Sequence, residues 1–337
     1  MYLCGMISEF TSTLLEWYRQ NGRALPWRGT SDPYAIWLSE IILQQTRISQ
    51  GRAYWERFMH RFPRIEDLAA ADEDEVIRLW QGLGYYTRAR NLLAAARQVV
   101  ALGAFPRTLE GIRSLKGVGD YTAAAVASMA FGLPAAAVDG NVYRVLSRHF
   151  GIATPINTTA GKHEFTQLAQ ALLPPDALSA FNQAMMDFGA VQCTPQSPAC
   201  LVCPLAETCA ALRAGRVGDL PVKLRKLQVR ERRLAYLYLR CKGEVAIRRR
   251  GEGDIWAGLW EFVALADRQP RETWMQGATL LAREVRHVLT HRILLADFYF
   301  LEVDSKPVLP EGYVWVRESA LDDYGKPRLM EKLLEML

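Results

Sequence analysis

The sequence predicts two domains: an all-α domain over residues 1–212 and, after a basic linker at 213–233, an α+β domain over 234–337. Three observations predict this. A chain of 337 residues exceeds the roughly 250–300 residues at which single cores stop growing. From Ile7 to about Leu212 apolar residues recur at helical spacing, as in Leu14, Leu15 and Tyr18 and again in Trp37, Ile41 and Ile42. Beyond that the period changes to two: Leu234, Tyr236 and Tyr238 alternate with Ala235, Leu237 and Leu239, as along a strand.

Within the first domain, breaks fall at Pro26, Pro33, Pro63, Gly82-Leu83-Gly84, Gly103 to Pro106, Gly117-Val118-Gly119, Pro134, Pro155 and Pro174-Pro175, which leaves room for eight or more helices. The linker from Arg213 to Arg233 holds eight basic residues, two acids and Pro221. It reads equally as a tether across an anionic surface or as a solvated connector. In the second domain a turn at Lys242-Gly243 leads to Val245 and Ile247, so a hairpin opens it. Then come Trp256 to Phe262, an expected helix from Arg271 to Arg283, and a β-rich run from Ile293 to Val303.

Composition narrows the function. The 41 Lys+Arg against 36 Asp+Glu give a net charge of +5, which suits a polyanionic partner without proving one. Four of the six cysteines fall in one short segment, which resembles a ligand set rather than a secreted disulfide scaffold and points to a reducing cytoplasm. No apolar run approaches the roughly 18–20 residues needed to span a bilayer, and Met1–Phe10 lacks the charged start of a signal peptide. A soluble, unexported protein is expected.

The clustered cysteines are Cys193, Cys200, Cys203 and Cys209, with spacing Cys-x6-Cys-x2-Cys-x5-Cys. Thiolates this close can enclose one metal centre. Structural zinc usually takes two short Cys pairs, and only Cys200 and Cys203 form one here, so the wide outer intervals favour an iron–sulfur cubane over zinc. Such a loop, beside Arg213 and Arg216, can act structurally by presenting cations to phosphates. Cys4 and Cys241 lie outside the set and read as ordinary thiols.

Gly117-Val118-Gly119 precedes an Ala-rich helix, so backbone N–H groups at a helix N-terminus can approach a phosphate closely. A lone Gly-x-Gly is also what any tight interhelical turn needs. Two carboxylates stand out. Glu40 sits in the apolar stretch Trp37 to Leu43, where desolvation should raise its pKa and suit it to general acid work. Asp139 follows the apolar Pro134 to Val138 and precedes Gly140-Asn141; it reads as a helix N-cap, as a catalytic group, or as both.

Glu40 to Thr46 (EIILQQT), Gly82 to Asn91 (GLGYYTRARN), Gly117 to Ala125 (GVGDYTAAA), Val138 to Arg144 (VDGNVYR) and the cysteine loop together resemble the endonuclease III-like glycosylases, and specifically the MutY adenine glycosylases. Position 121 selects between them. Bifunctional relatives carry lysine at that point of the hairpin motif, whereas this chain has Tyr121 and so no Schiff-base nucleophile there.

The resemblance implies a helix-hairpin-helix glycosylase domain with an iron–sulfur cluster loop and one [4Fe-4S] cluster on the four cysteines, followed by a Nudix-like domain. It implies a monomer acting on double-stranded DNA with adenine opposite 8-oxoguanine or guanine. Glu40 would protonate the adenine and activate water, and Asp139 would stay ionised to stabilise an oxocarbenium ion, both oriented by Tyr121 and Asn141. Because the base must leave the duplex, Gln45, Leu83 and Tyr85 would wedge the gap, with Trp27, Arg28 and Gln183 around the flipped base. Trp27 by itself reads as readily as a core residue. Gly117 and Gly119 would grip phosphate.

In the second domain Thr290 and His291 would read the lesion, in Leu289-Thr290-His291 where relatives carry a Phe-Ser-His type of triplet; the aromatic is lost. A working Nudix hydrolase needs a glycine-led, glutamate-rich helix, and Arg271 to Arg286 supplies only Glu272 and Glu284, so pyrophosphate hydrolysis is not expected. The rival readings are a pyrimidine-lesion glycosylase with lyase activity, opposed by Tyr121 and the second domain, and a silent mismatch-binding protein, opposed by Glu40 and Asp139.

Overall fold

The computed structural model describes residues 2–224, 230–266, 272–289 and 292–337. In chain order the helices are α1 (Tyr2–Asn21), α2 (Pro33–Ile42), α3 (Ile48–Arg61), α4 (Ile65–Ala70), α5 (Glu73–Trp80), α6 (Thr87–Ala101), α7 (Leu109–Arg113), α8 (Asp120–Phe131), α9 (Gly140–Phe150), α10 (Thr159–Leu172), α11 (Leu178–Asp187), α12 (Ala210–Arg213) and α13 (Arg328–Leu334). The strands are β1 (Arg230–Cys241), β2 (Glu244–Arg249), β3 (Trp260–Glu261), β4 (Val263–Ala264), β5 (Thr279–Val288), β6 (Arg292–Glu302) and β7 (Tyr313–Arg317). They form two units: residues 1–70 with 91–225, and residues 71–90 with 226–337.

The first unit is helical because its starts and stops are written locally. Asp32 accepts the Tyr34 N–H at 3.0 Å, with Pro33 opening α2; Thr108 caps α7 and Thr158 caps α10 in the same way. Gly132 and Gly151 end α8 and α9 in the left-handed conformation, which glycine adopts without a Cβ penalty. The core that these helices share joins Phe10 and Leu14 of α1, Val145 and Leu146 of α9, Phe165 of α10, and Phe181 and Met185 of α11. Each large side chain removed from water contributes roughly 1.5–3 kcal/mol, so this stripe holds α9, α10 and α11 against α1.

The second unit is built on one sheet of order β3-β2-β1-β6-β5, with β4 on β1 and β7 on β2. β1 and β6 run parallel from Arg230↔Arg292 to Arg240↔Glu302. Tyr236 and Tyr238 face one core with Phe298, Leu329 and Leu333, while Leu237 and Leu239 face another with Ala246 and Val263. Both phases of the strand are buried, which is why the apolar alternation in the sequence has no polar member.

Three expectations are corrected. The helix expected over Arg271–Arg283 is a 3-10 turn at Thr273–Met275 and then strand β5, paired with β6 through two register shifts; pairing across the sheet overrides the local spacing of apolar residues. The expected linker to Arg233 ends earlier, since Arg230 to Arg233 already pair with Arg292 to Leu295. The helical domain is not one contiguous stretch either, because Ala71–Arg90 packs with the second unit. There the Arg78 guanidinium donates to Asp323 O at 2.7 Å, and Arg249 pairs with Glu73 and Asp74. Of the Trp256–Phe262 stretch, Leu259 and Phe262 are core. No helix is long and apolar enough to cross a membrane among the described residues.

Candidate active site

Glu40 lies on α2 in a run of nine buried residues and is only 7% exposed. Its helix face offers no water, and desolvation drives its carboxyl group up to about 7. A hydrogen bond with Tyr121 opposes the rise, the Asp139 charge adds to it, and Arg28 has the least influence. Tyr121 projects from the first turn of α8; its hydroxyl, held well above the ordinary tyrosine range by burial, also lies 3.1 Å from Met186 Sδ of α11.

Asp139 is the N-cap of α9. Its Oδ1 accepts from Asn141 N and Val142 N, each at 2.9 Å, and its Oδ2 from Asn141 Nδ2 at 2.7 Å. Burial raises this carboxyl above its ordinary value, and these hydrogen bonds, with the Arg144 charge, oppose the rise. The approach to Asp139 is braced from α11 and α10. Buried Asn182 accepts Ala137 N–H at 2.9 Å and donates to Ala135 O, while Gln170 accepts Ala136 N–H and donates to Pro134 O. Asp139 therefore caps α9 while its carboxyl group lies within electrostatic reach of Glu40.

Arg28 ends a 3-10 turn opened by Pro26. Its guanidinium forks onto Asp187, and it shares an electrostatic influence with Glu40. Gln183, one turn before Asp187 on α11, accepts from the Tyr18 hydroxyl at 2.8 Å. Trp27 is buried, 5% exposed, with its ring centroid 5.5 Å from that of Trp55, so it has the packing of a core residue. Glu40, Tyr121, Asp139, Asn141 and Arg28 thus form one electrostatically connected group, to which α11 adds Gln183 and Met186.

Around the hairpin, Gly117 adopts φ +76°, and a Cβ there would fall 2.7 Å from Asn91. Gly119 precedes α8, and a Cβ there would meet nothing within 4 Å. Both glycines are exposed, with the α8 N-terminus behind them. Gln45 and Tyr85 are exposed in left-handed backbone, at φ 57° and φ 50°, a strain typical of functional turns. Leu83, expected as a wedge beside Tyr85, is buried at 9% exposure. Thr290 and His291 lie outside the described residues.

Cys193, Cys200, Cys203 and Cys209 are free thiols that line one pocket with Arg148. Among the described residues no three His, Cys, Asp or Glu side chains close on a single ion. Four thiols lining one pocket, of which only Cys200 and Cys203 form a short pair in sequence, fit a polynuclear cluster better than zinc. Two arginines of α9 hold this loop. Arg148 donates to Thr194 O at 2.7 Å and stands 3.4 Å from Cys193 Sγ. Arg144 donates to Cys193 O at 2.8 Å and, with Nη2, to Asn141 Oδ1 at 2.7 Å. The helix capped by Asp139 therefore ties the carboxylate site to the first cysteine. Sequence reasoning missed Arg144 and Asp187; a lone charge within an apolar helix, as in Phe181 to Gly189, was the available signal for the second.

Comparison with known proteins agrees with this architecture. Residues 38–175 match the HhH-GPD superfamily base excision DNA repair protein model, 193–209 the iron-sulfur binding domain of endonuclease III, and 235–336 the NUDIX domain. The mouse adenine DNA glycosylase is 33% identical over 98% of this chain and 78% of its own length. That of Buchnera aphidicola (strain Bp) is 33% identical over 96% of this chain and 95% of its own. A solved thermostable thymine-DNA glycosylase, 33% identical, superimposes on 64% of this chain and 100% of its own at a TM-score of 0.59. The chain belongs to the adenine DNA glycosylases, base-excision repair enzymes that bind DNA and hydrolyse N-glycosyl bonds, and its cofactor is a [4Fe-4S] cluster.

Proposed function

We propose that this enzyme removes adenine mispaired with 8-oxoguanine or guanine, acting as a monomer on a nucleotide flipped out of the duplex. The observation that carries the chemistry is the pairing of two unlike carboxyl groups. Glu40, desolvated and pushed up to about 7, is protonated in a useful fraction of molecules near neutrality, as a general acid must be. Asp139 carries three N–H hydrogen bonds, which favour its anionic form.

On this reading Glu40 donates its proton to adenine N7 as the glycosidic bond breaks, so the leaving group departs neutral. The electron-poor sugar is stabilised by the Asp139 anion, and Glu40, now ionised, takes a proton from the attacking water. Tyr121 and Asn141 orient the two carboxyl groups, while Arg28, Gln183 and Trp27 bound the base. Gln45 and Tyr85, exposed in left-handed backbone, fill the gap together with Leu83. Gly117 and Gly119 receive a phosphate at the α8 N-terminus, and Thr290 and His291 read the opposing base. Cys193, Cys200, Cys203 and Cys209 hold the cluster, which braces the loop that Arg144 and Arg148 grip.

Single-turnover reactions on duplexes with adenine opposite 8-oxoguanine, adenine opposite guanine, and an oxidised thymine, followed by hot alkali to reveal abasic sites, test the specificity. Cleavage at both adenine mispairs is expected. Excision confined to oxidised thymine would overturn the reading.

A further inference from the structure

The group at the base of the site that the chemistry above leaves unused is Asp187. It is the last residue of α11, its side chain is 0% exposed, and both oxygens are taken by arginines. Arg28 Nη1 reaches Oδ2 at 2.6 Å and Nη2 reaches Oδ1 at 2.7 Å, a forked pair. Arg23 adds its N–H to Oδ2 at 2.9 Å, its Nε to Oδ1 at 2.8 Å, and its Nη2. Arg28 Nη1 also donates to Arg23 O at 3.2 Å. One carboxylate therefore carries two guanidinium groups.

We propose that Asp187 is a positioning residue for base excision: by holding Arg28 in a fork, it keeps that cation beside Glu40 without letting it close on Glu40 as a salt bridge. The inference rests on the reading of Glu40 as the general acid. The charged and titratable groups facing Glu40 are Tyr121 from α8, Asp139 ahead of α9, and Arg28. Those facing Arg28 are Asp187 from α11, Arg23 through the shared carboxylate, Tyr18 from α1, and Glu40. A guanidinium only 12% exposed does not stay unpaired in a dry site. Deprived of Asp187, Arg28 has Glu40 as the carboxyl group it already influences. Pairing would strip the acid of its proton at neutral pH. Gln183, Met186 and Asp187 occupy positions i, i+3 and i+4 of α11, so one helix face supports the base pocket, Tyr121 and Arg28 together.

The test is the pH profile of single-turnover adenine excision, from about pH 5 to 9, by the cluster-loaded wild type and by Asp187→Asn, Arg23→Met and Glu40→Gln. In Asp187→Asn the alkaline half-maximum should move down by about one pH unit, as a new ion pair requires, so activity is lost at pH 8 far more than at pH 6. Arg23→Met leaves Asp187 less neutralised and should move the same limb upward by a smaller amount. If Asp187→Asn fails to fold, the Arg23→Met shift decides. A uniform loss at every pH in the variants that fold, with the limb unmoved, overturns the proposal. Persistent excision by Glu40→Gln would instead overturn the reading of the acid, so the two failures are distinguishable.

Discussion

Glu40 of the first unit and Glu261 of the second are both buried carboxyl groups, and their surroundings treat them in opposite ways. In the first, Glu40 is 7% exposed and is pushed up to about 7. In the second, Glu261 is 2% exposed, yet Arg248 Nε stands 2.8 Å from it and Arg250 closes the other side. Its neighbour Asp254, gripped by Arg232 and Arg250 at 2.6 Å each, is held down to about 2. The difference is whether a guanidinium is allowed to close. A paired carboxylate is structure, whereas a desolvated one kept from its cation stores proton affinity for chemistry.

The largest expected effect is on Glu40. Glu40→Gln preserves the shape of the side chain but supplies no titratable proton. Single-turnover excision should fall by about 10³-fold or more, within the usual range for losing general acid–base catalysis, while duplex affinity by fluorescence anisotropy stays at the wild-type level. Asp139→Asn comes next. An amide oxygen still caps α9, since Asn and Asp cap about equally, and only the bond from Asn141 Nδ2 is lost, so the melting temperature should fall little while excision drops by about 10²–10³-fold. Equal losses of stability and rate would reduce Asp139 to a cap.

The comparison is sharpened by removing the same charge from both units and measuring stability. Glu261→Gln leaves Arg248 and Arg250 facing a neutral group and should cost about 3 kcal/mol in the unfolding of the second unit. Glu40→Gln should have the opposite sign. Its folded carboxyl titrates near 7 rather than at the ordinary 4.5, so ionisation opposes folding increasingly as pH rises through that window. The variant should therefore be more stable than wild type at pH 8 by about 3 kcal/mol, with the advantage gone by about pH 4. Denaturant titrations at both pH values measure this. A gap between Glu40→Gln and wild type no larger at pH 8 than at pH 4 would mean that Glu40 is paired.

Much of this was legible in the sequence wherever one local rule decided the outcome. The break at Pro33 that opens α2, the glycine turn at 117–119, the cap at Asp139 and the period change at Leu234 follow from nearest-neighbour chemistry. Glu40 stood out because an acid inside an apolar helical run is costly. What was not legible depends on distant partners. β5 has apolar residues at helical spacing and becomes a strand only because β6 is there to pair with it. Ala71–Arg90 joins the other unit through contacts more than 150 residues away. Leu83 was expected as a wedge and is buried, because the glycines beside it fix a turn and not the direction of the side chain between them. Asp187 and Arg144 acquire their places only when α9, α11 and the cysteine loop meet.

The smallest expected effect tests the structural side of the comparison. Asp254→Asn keeps an oxygen for Ile255 N–H, which Asp254 accepts at 2.7 Å, and removes only the charge facing Arg232 and Arg250. Because the side chain is a third exposed, water screens the pair, and the cost at pH 7 should be about 1 kcal/mol. Its folded carboxyl titrates near 2 rather than at the ordinary 3.8. The contribution is therefore complete above about pH 4 and disappears as pH falls through about 2. Urea unfolding of wild type and variant at pH 7 and pH 3 should show the gap narrowing toward acid. An equal gap at both pH values would assign Asp254 to packing, and the second unit's carboxylates would then owe their place to shape rather than to the arginines that surround them.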